Sequence, residues 1–107
     1  MSYTSRYTPE TVSRDELNQT TGPMVIEFGT NWCGICQGAQ PDIKAAMDNH
    51  PDVPHVKVED GKGRRLGRTF GVKLWPSLIF LKDGEEMARV VRPENSGEIE
   101  GALKKIL

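Results

Sequence analysis

The chain has 107 residues, with 14 basic and 15 acidic side chains and a formal net charge of −1, which is enough for one hydrophobic core and too short for two. So even a balance gives no electrostatic case for a nucleic-acid or membrane-surface partner, and neither an N-terminal apolar h-region nor a run of about 18 apolar residues marks a leader or a span. The expectation is a cytoplasmic, monomeric, single domain over 1–107, with residues 1–11 as a short edge strand or a loosely ordered lead-in.

In chain order, Ser13-Arg14-Asp15-Glu16 has the form of a capping box, and Val12 and Leu17 stand at the positions of a hydrophobic staple, so a short helix begins at Arg14 and stops before Pro23. Residues 24–28 are an apolar run with β-branched members, the pattern of a strand buried on both faces, interrupted by one carboxylate, Glu27. A helix follows to about residue 49, with Ile35, Ala39, Ile43 and Met47 at four-residue spacing and Pro41 expected to kink it. Residues 53–59 read as a second strand. Leu66 and Phe70 then give the apolar face of a short helix over 62–70. The runs 77–81 and 86–91 flank Lys82-Asp83-Gly84, a hairpin signal, and Asn95 caps a last helix whose buried face is Ile99, Ala102, Leu103 and Ile106. This order predicts an α/β fold: a mixed sheet made of a parallel βαβ unit and an antiparallel hairpin, with helices on both faces.

Only two cysteines are present, Cys33 and Cys36, whereas a secreted chain of this size that relied on disulfides would carry about four or more. A bridge between them closes too short a loop to restrict the unfolded chain much. At i and i+3 on the first turn of a helix, they are suited to redox chemistry instead. Cys33 would meet the unpaired backbone N–H groups that favour a thiolate and so be the attacking sulfur, with Cys36 placed to attack the resulting mixed disulfide. A zinc site needs about four ligands. The spare imidazoles, His50 and His55, flank Pro51-Asp52-Val53-Pro54 and read as residues of a solvated loop, so no metal is expected.

An apolar strand with an internal acid, then Trp32-Cys33-Gly34-Ile35-Cys36, then Pro41, then Trp75-Pro76 ahead of a Lys-Asp-Gly turn, together resemble a thioredoxin over roughly residues 12–107. The resemblance implies the thioredoxin fold and a thiol–disulfide oxidoreductase that exchanges electrons with protein disulfides. It implies no bound cofactor beyond the redox-active Cys33–Cys36 disulfide, and reduction by a flavoprotein reductase or another dithiol carrier. By the same resemblance Cys33 is the nucleophile, Cys36 the resolving thiol and Trp32 the indole beside them. Glu27 falls at the family's buried acid, where exclusion of water would raise its pKa and fit it as the acid/base for Cys36. Lys57 matches the lysine that accompanies that acid, although strand alternation alone leaves it free to point outward. Pro76 matches the family's cis-proline. Gly34, Ile35, Trp75, Val91 and Arg92 fall on the substrate surface around the cysteines.

The sequence also departs from the family. Ile35 replaces a proline between the cysteines, Leu74 a glycine, Trp75 a smaller aliphatic residue, and Arg92-Pro93 a Gly-Ala pair. These changes predict a narrower clientele and a somewhat more oxidising pair, between ~−270 and ~−180 mV and nearer the former. Gly29 stands where thioredoxins often carry a second tryptophan, leaving room for Trp75 to fold inward. The run from Lys62 to Arg68 holds four positive charges in seven residues, as a steering patch for an acidic partner or simply as a solvated face. Two rival functions remain: a glutathione-linked, glutaredoxin-like activity, although that subfamily's C-P-Y-C is lacking, and a non-catalytic client-binding module that uses Trp75, Arg92 and the basic run.

Overall fold

A computed structural model describes residues 2–107. Its elements are α1 (Arg14–Asn18), β1 (Pro23–Gly29), α2 (Gly34–Asp48), β2 (His55–Glu59), α3 (Leu66–Thr69), β3 (Ser77–Lys82), β4 (Glu85–Val91) and α4 (Ser96–Leu103). The sheet runs in the order β2-β1-β3-β4, with β1 parallel to β2 and antiparallel to β3, and β3 antiparallel to β4. The N-terminal segment adds one parallel bridge, Thr8 to Val58, at the outer edge of β2.

Strand alternation sorts the core into two layers. Val25, Leu78 and Phe80 face Ile43 and Met47 of α2 and Ile99 and Leu103 of α4. Ile26, Phe28, Val58, Ile79 and Leu81 face Leu17 of α1 and Leu66 of α3. Each fully buried aliphatic or aromatic side chain stabilises such a layer by about 1.5–3 kcal/mol. The parity that puts Val25 under α2 also puts Glu27 there. The β1/β2 register pairs Val25 with His55 and Glu27 with Lys57, so three polar side chains enter the layer beneath α2.

The start signals hold: Ser13 accepts from Glu16 N–H while the Glu16 side chain accepts from Ser13 N–H, and Asn95 caps α4 by accepting from Glu98 N–H. Two expectations change. Ile35 is 50% exposed, because the turn that starts α2 directs Cys36 rather than Ile35 into the core. The third helix shrinks from 62–70 to Leu66–Thr69, since Gly61 and Gly63 take positive φ, 126° and 80°, and the Glu10 carboxylate accepts the N–H groups of Arg65 and Leu66 where the helix begins. Helix α2 continues through Pro41 as one element.

Candidate active site

Cys33 is the N-cap of α2, with extended backbone (φ −79°, ψ 115°), and its Sγ accepts the Cys36 N–H at 3.2 Å. The sulfur therefore stands among the unpaired donors of a helix start, where negative charge is stabilised. It is partly exposed, whereas Cys36 is buried, and the two thiols are unpaired. Burial and the hydrogen bond with Cys33 push the Cys36 thiol up to about 11, against opposing contributions from Thr30 N–H and the Tyr7 hydroxyl.

The peptide bond between Trp75 and Pro76 is cis. Arg92 closes over it: its N–H donates to Pro76 O at 2.9 Å and its Nε–H to Trp75 O at 2.8 Å. To make both bonds Arg92 takes φ 51°, a left-handed backbone that accounts for the glycine expected at this place in the family. Around the cysteines Trp32 is 73% exposed, Ile35 50%, Leu74 49% and Val91 42%, forming an apolar rim, and Gly34 opens α2 with free space about its α-carbon.

Trp75 does not fold inward. Its indole N–H donates to Asp60 Oδ2 at 2.9 Å and its ring meets Trp32 edge to face, centroids 5.8 Å apart. The room beside Gly29 belongs to Tyr7 instead. A Cβ on Gly29 would lie 2.7 Å from the Tyr7 ring, 2.8 Å from its hydroxyl and 2.8 Å from Cys36 Sγ, so only glycine lets these groups meet.

Glu27 is fully buried, as is the Lys57 ammonium, and the outward alternative for Lys57 is excluded. Glu27 Oε1 accepts from His55 Nε2 at 2.8 Å, and Oε2 accepts from the Tyr7 hydroxyl and from Gln40 Nε2 at 2.9 Å. Lys57 Nζ is 4.0 Å from the carboxylate and donates to Gln40 Oε1 at 2.7 Å and Ser5 O at 3.0 Å. Burial alone would raise the Glu27 pKa as expected from the sequence; the bond from His55, the Lys57 ammonium and the Tyr7 hydroxyl outweigh it and hold the carboxyl below its ordinary value.

His55 is therefore no loop residue. Its ring is buried and its Nδ1 accepts Thr4 N–H at 2.9 Å, leaving Nε2 as the donor to Glu27. His50 pairs with Glu100 at 2.9 Å. Tyr7, Gln40 and His55 are the members of this cluster that pattern reading missed. Within reach of the sequence was one signal for His55: two residues before Lys57, it must share that residue's face of β2. Among the described residues, no group of three or more metal-ligating side chains comes together, and no helix is long and apolar enough to cross a membrane. The basic run is part paired, Arg64 meeting Glu59 at 3.1 Å.

Two adjacent sulfurs, one partly open at a helix start and the other buried behind it, make this a thiol–disulfide oxidoreductase in class. The family model described as Thioredoxin matches residues 6–105, and the chain belongs to the thioredoxin family. It is similar to thioredoxin 2 of Pseudomonas aeruginosa in its reduced form, with TM-score 0.85 and 52% identity over 97% of this chain and 96% of that one. A thioredoxin of Chlamydia muridarum is 33% identical over 82 residues, covering 75% of this chain and 80% of its own length. Thioredoxin H2 of Arabidopsis thaliana is 27% identical over 92 residues, covering 86% and 68%. The match from residue 6 takes in the segment that carries Tyr7.

Proposed function

We propose that the chain reduces protein disulfides, with Cys33 as the nucleophile and Cys36 as the resolving thiol. The Cys33 thiolate attacks one sulfur of a substrate disulfide, forming a mixed disulfide and expelling the other sulfur as a thiolate. Cys36 then attacks Cys33 Sγ, closing the Cys33–Cys36 disulfide and releasing the second substrate sulfur. The observation that carries this reading is the N-cap position of Cys33, part open to an incoming sulfur, with Cys36 held behind it.

The apolar rim of Trp32, Ile35, Leu74 and Val91 suits an extended, apolar segment of a client protein, and the oxidised pair would be returned to dithiol by a flavoprotein reductase or another dithiol protein, without a bound cofactor. Insulin-disulfide reduction tests the assignment: Cys33→Ser is expected to abolish turnover, and Cys36→Ser to accumulate mixed disulfides on Cys33. Undiminished turnover in Cys33→Ser would overturn the reading, and client binding that persists in the double serine variant without any turnover in the wild type would favour a binding module.

A further inference from the structure

Tyr7 lies outside every motif that identifies the fold, yet it is 5% exposed and sits between the two groups whose protons matter most. Its hydroxyl donates to Glu27 Oε2 and faces Cys36 Sγ across the bare α-carbon of Gly29. The backbone is clasped in place: Tyr7 N–H donates to Asn31 Oδ1 at 2.9 Å and Asn31 Nδ2 donates back to Tyr7 O at 3.0 Å. Asn31 belongs to the loop that delivers Cys33, so the clasp ties the tyrosine to the dithiol.

We propose that Tyr7 is the proton link between Cys36 and Glu27, carrying the proton that Cys36 must lose when it attacks the mixed disulfide. The inference rests on Cys36 being the resolving thiol. As Cys36 Sγ bonds to Cys33 Sγ and the substrate sulfur leaves with the electron pair of the broken S–S bond, the Cys36 thiol proton passes to Tyr7 Oη. The proton already on Tyr7 Oη passes to Glu27 Oε2. The products are the Cys33–Cys36 disulfide, a substrate thiolate and a protonated Glu27, with the tyrosine neutral before and after. A hydroxyl can do this because it donates and accepts at once. It never has to ionise, which burial and the neighbouring Glu27 would oppose by raising the Tyr7 pKa.

The groups facing this path are few. Cys33 and Cys36 come from α2, Glu27 from β1, and from β2 come His55, on the far oxygen of Glu27, and Lys57, whose ammonium lies 4.3 Å from the Tyr7 ring centre. The N-terminal segment contributes Tyr3, whose hydroxyl donates to Gln40 Oε1 at 2.7 Å, and Arg6, which lines a cleft of about 140 Å³ together with Tyr7, Thr30, Cys36, Gln40 and Lys57. Thr30 Oγ1, buried and without a partner among the described residues, also lines it. The charge and hydrogen bond of Cys33 that hold the proton on Cys36 disappear once Cys33 is in a mixed disulfide. Their loss lowers the cost of the transfer at the step that needs it.

Reaction with 5,5′-dithiobis(2-nitrobenzoate) releases one nitrothiobenzoate when Cys33 attacks and a second when Cys36 resolves, so stopped-flow absorbance separates the two steps. Tyr7→Phe keeps the ring and removes the link. It is expected to leave the first phase within about twofold and slow the second at least tenfold, within the range of general acid–base effects, with the second phase becoming proportional to hydroxide concentration. Glu27→Gln should slow the same phase. In the unaltered protein, the second phase should be slower in D₂O by more than about twofold, an effect absent from the first. An unchanged second phase in folded Tyr7→Phe overturns the inference, and so does the absence of an isotope effect in the unaltered protein, which depends on no variant. A first phase that survives Cys33→Ser would instead overturn the assignment of the two sulfurs.

Discussion

At the scale of single residues, Glu27 has the largest consequences. A carboxylate with both oxygens occupied in a dry layer is stabilised only as long as its partners remain, and removing one member of a buried charged set costs about 3–5 kcal/mol. Glu27→Ala, which leaves Lys57 and His55 uncompensated, is expected to lose that much in urea unfolding at pH 7. The pH dependence follows from a carboxyl whose pKa is lower folded than unfolded. Its stabilisation is full above the unfolded value of about 4.3 and is lost as pH falls through the lower folded value. The stability gap between the wild type and Glu27→Gln should therefore narrow on acidification below about pH 4, as denaturant midpoints measured across pH would show. The sequence exposed Glu27 as an anomaly in an apolar strand. It could not fix the direction of its titration, because Tyr7 arrives from the N-terminal segment, twenty residues upstream along the chain, and no local pattern announces that contact. Gly29 hinted at a vacancy, but not at which aromatic fills it.

Elements were legible where short-range chemistry decides them and illegible where glycine and burial compete. The capping box, the Asn95 cap and the Asp-Gly turn were readable because each is complete within about four residues. The turn sets Asp83 at φ 51° and Gly84 at φ 80°, the pair of left-handed conformations that matches strand twist. It also fastens α1 to the sheet: Gly22 N–H donates to Asp83 Oδ1 at 2.8 Å, and a Cβ on Gly84 would lie 2.2 Å from Asn18 O. Gly84→Ala combines a left-handed alanine, at about 1–2 kcal/mol, with that backbone collision. Thermal unfolding should show a loss of about 2 kcal/mol or more, a fall in Tm of roughly 8–16 °C for a domain near this size, while the first step with the disulfide reagent keeps its rate. The third helix is shorter than its apolar pair Leu66 and Phe70 suggests because Gly61 and Gly63, just ahead of it, leave the right-handed region.

For the molecule as a whole, the sheet's two faces do different work. One is an apolar layer under α1 and α3, and the other carries a polar cluster beneath the start of α2. The dithiol sits at the end of that second layer, so its second thiol is tied to the interior while its first is partly open beside an apolar rim. With a net charge of −1, client capture through Trp32, Ile35, Leu74 and Val91 should depend little on ionic strength. Steady-state insulin reduction at 0.05 and 0.5 M salt is expected to give KM values within about twofold. A steep rise would instead assign recognition to Arg92 and the basic run. In the same assay, Trp75→Ala should raise KM more than it lowers kcat, because it removes the ring on which the rim's Trp32 packs and leaves both sulfurs in place.

The edge-to-face pair of Trp32 and Trp75 accounts for both tryptophans of the chain. All indole emission therefore originates beside the two cysteines, from one ring open to water and one bonded to Asp60. The protein thus carries a built-in optical probe. With excitation at the red edge of the absorption band, its spectrum is expected to respond to changes at the neighbouring dithiol without any label, while the rest of the fold stays dark.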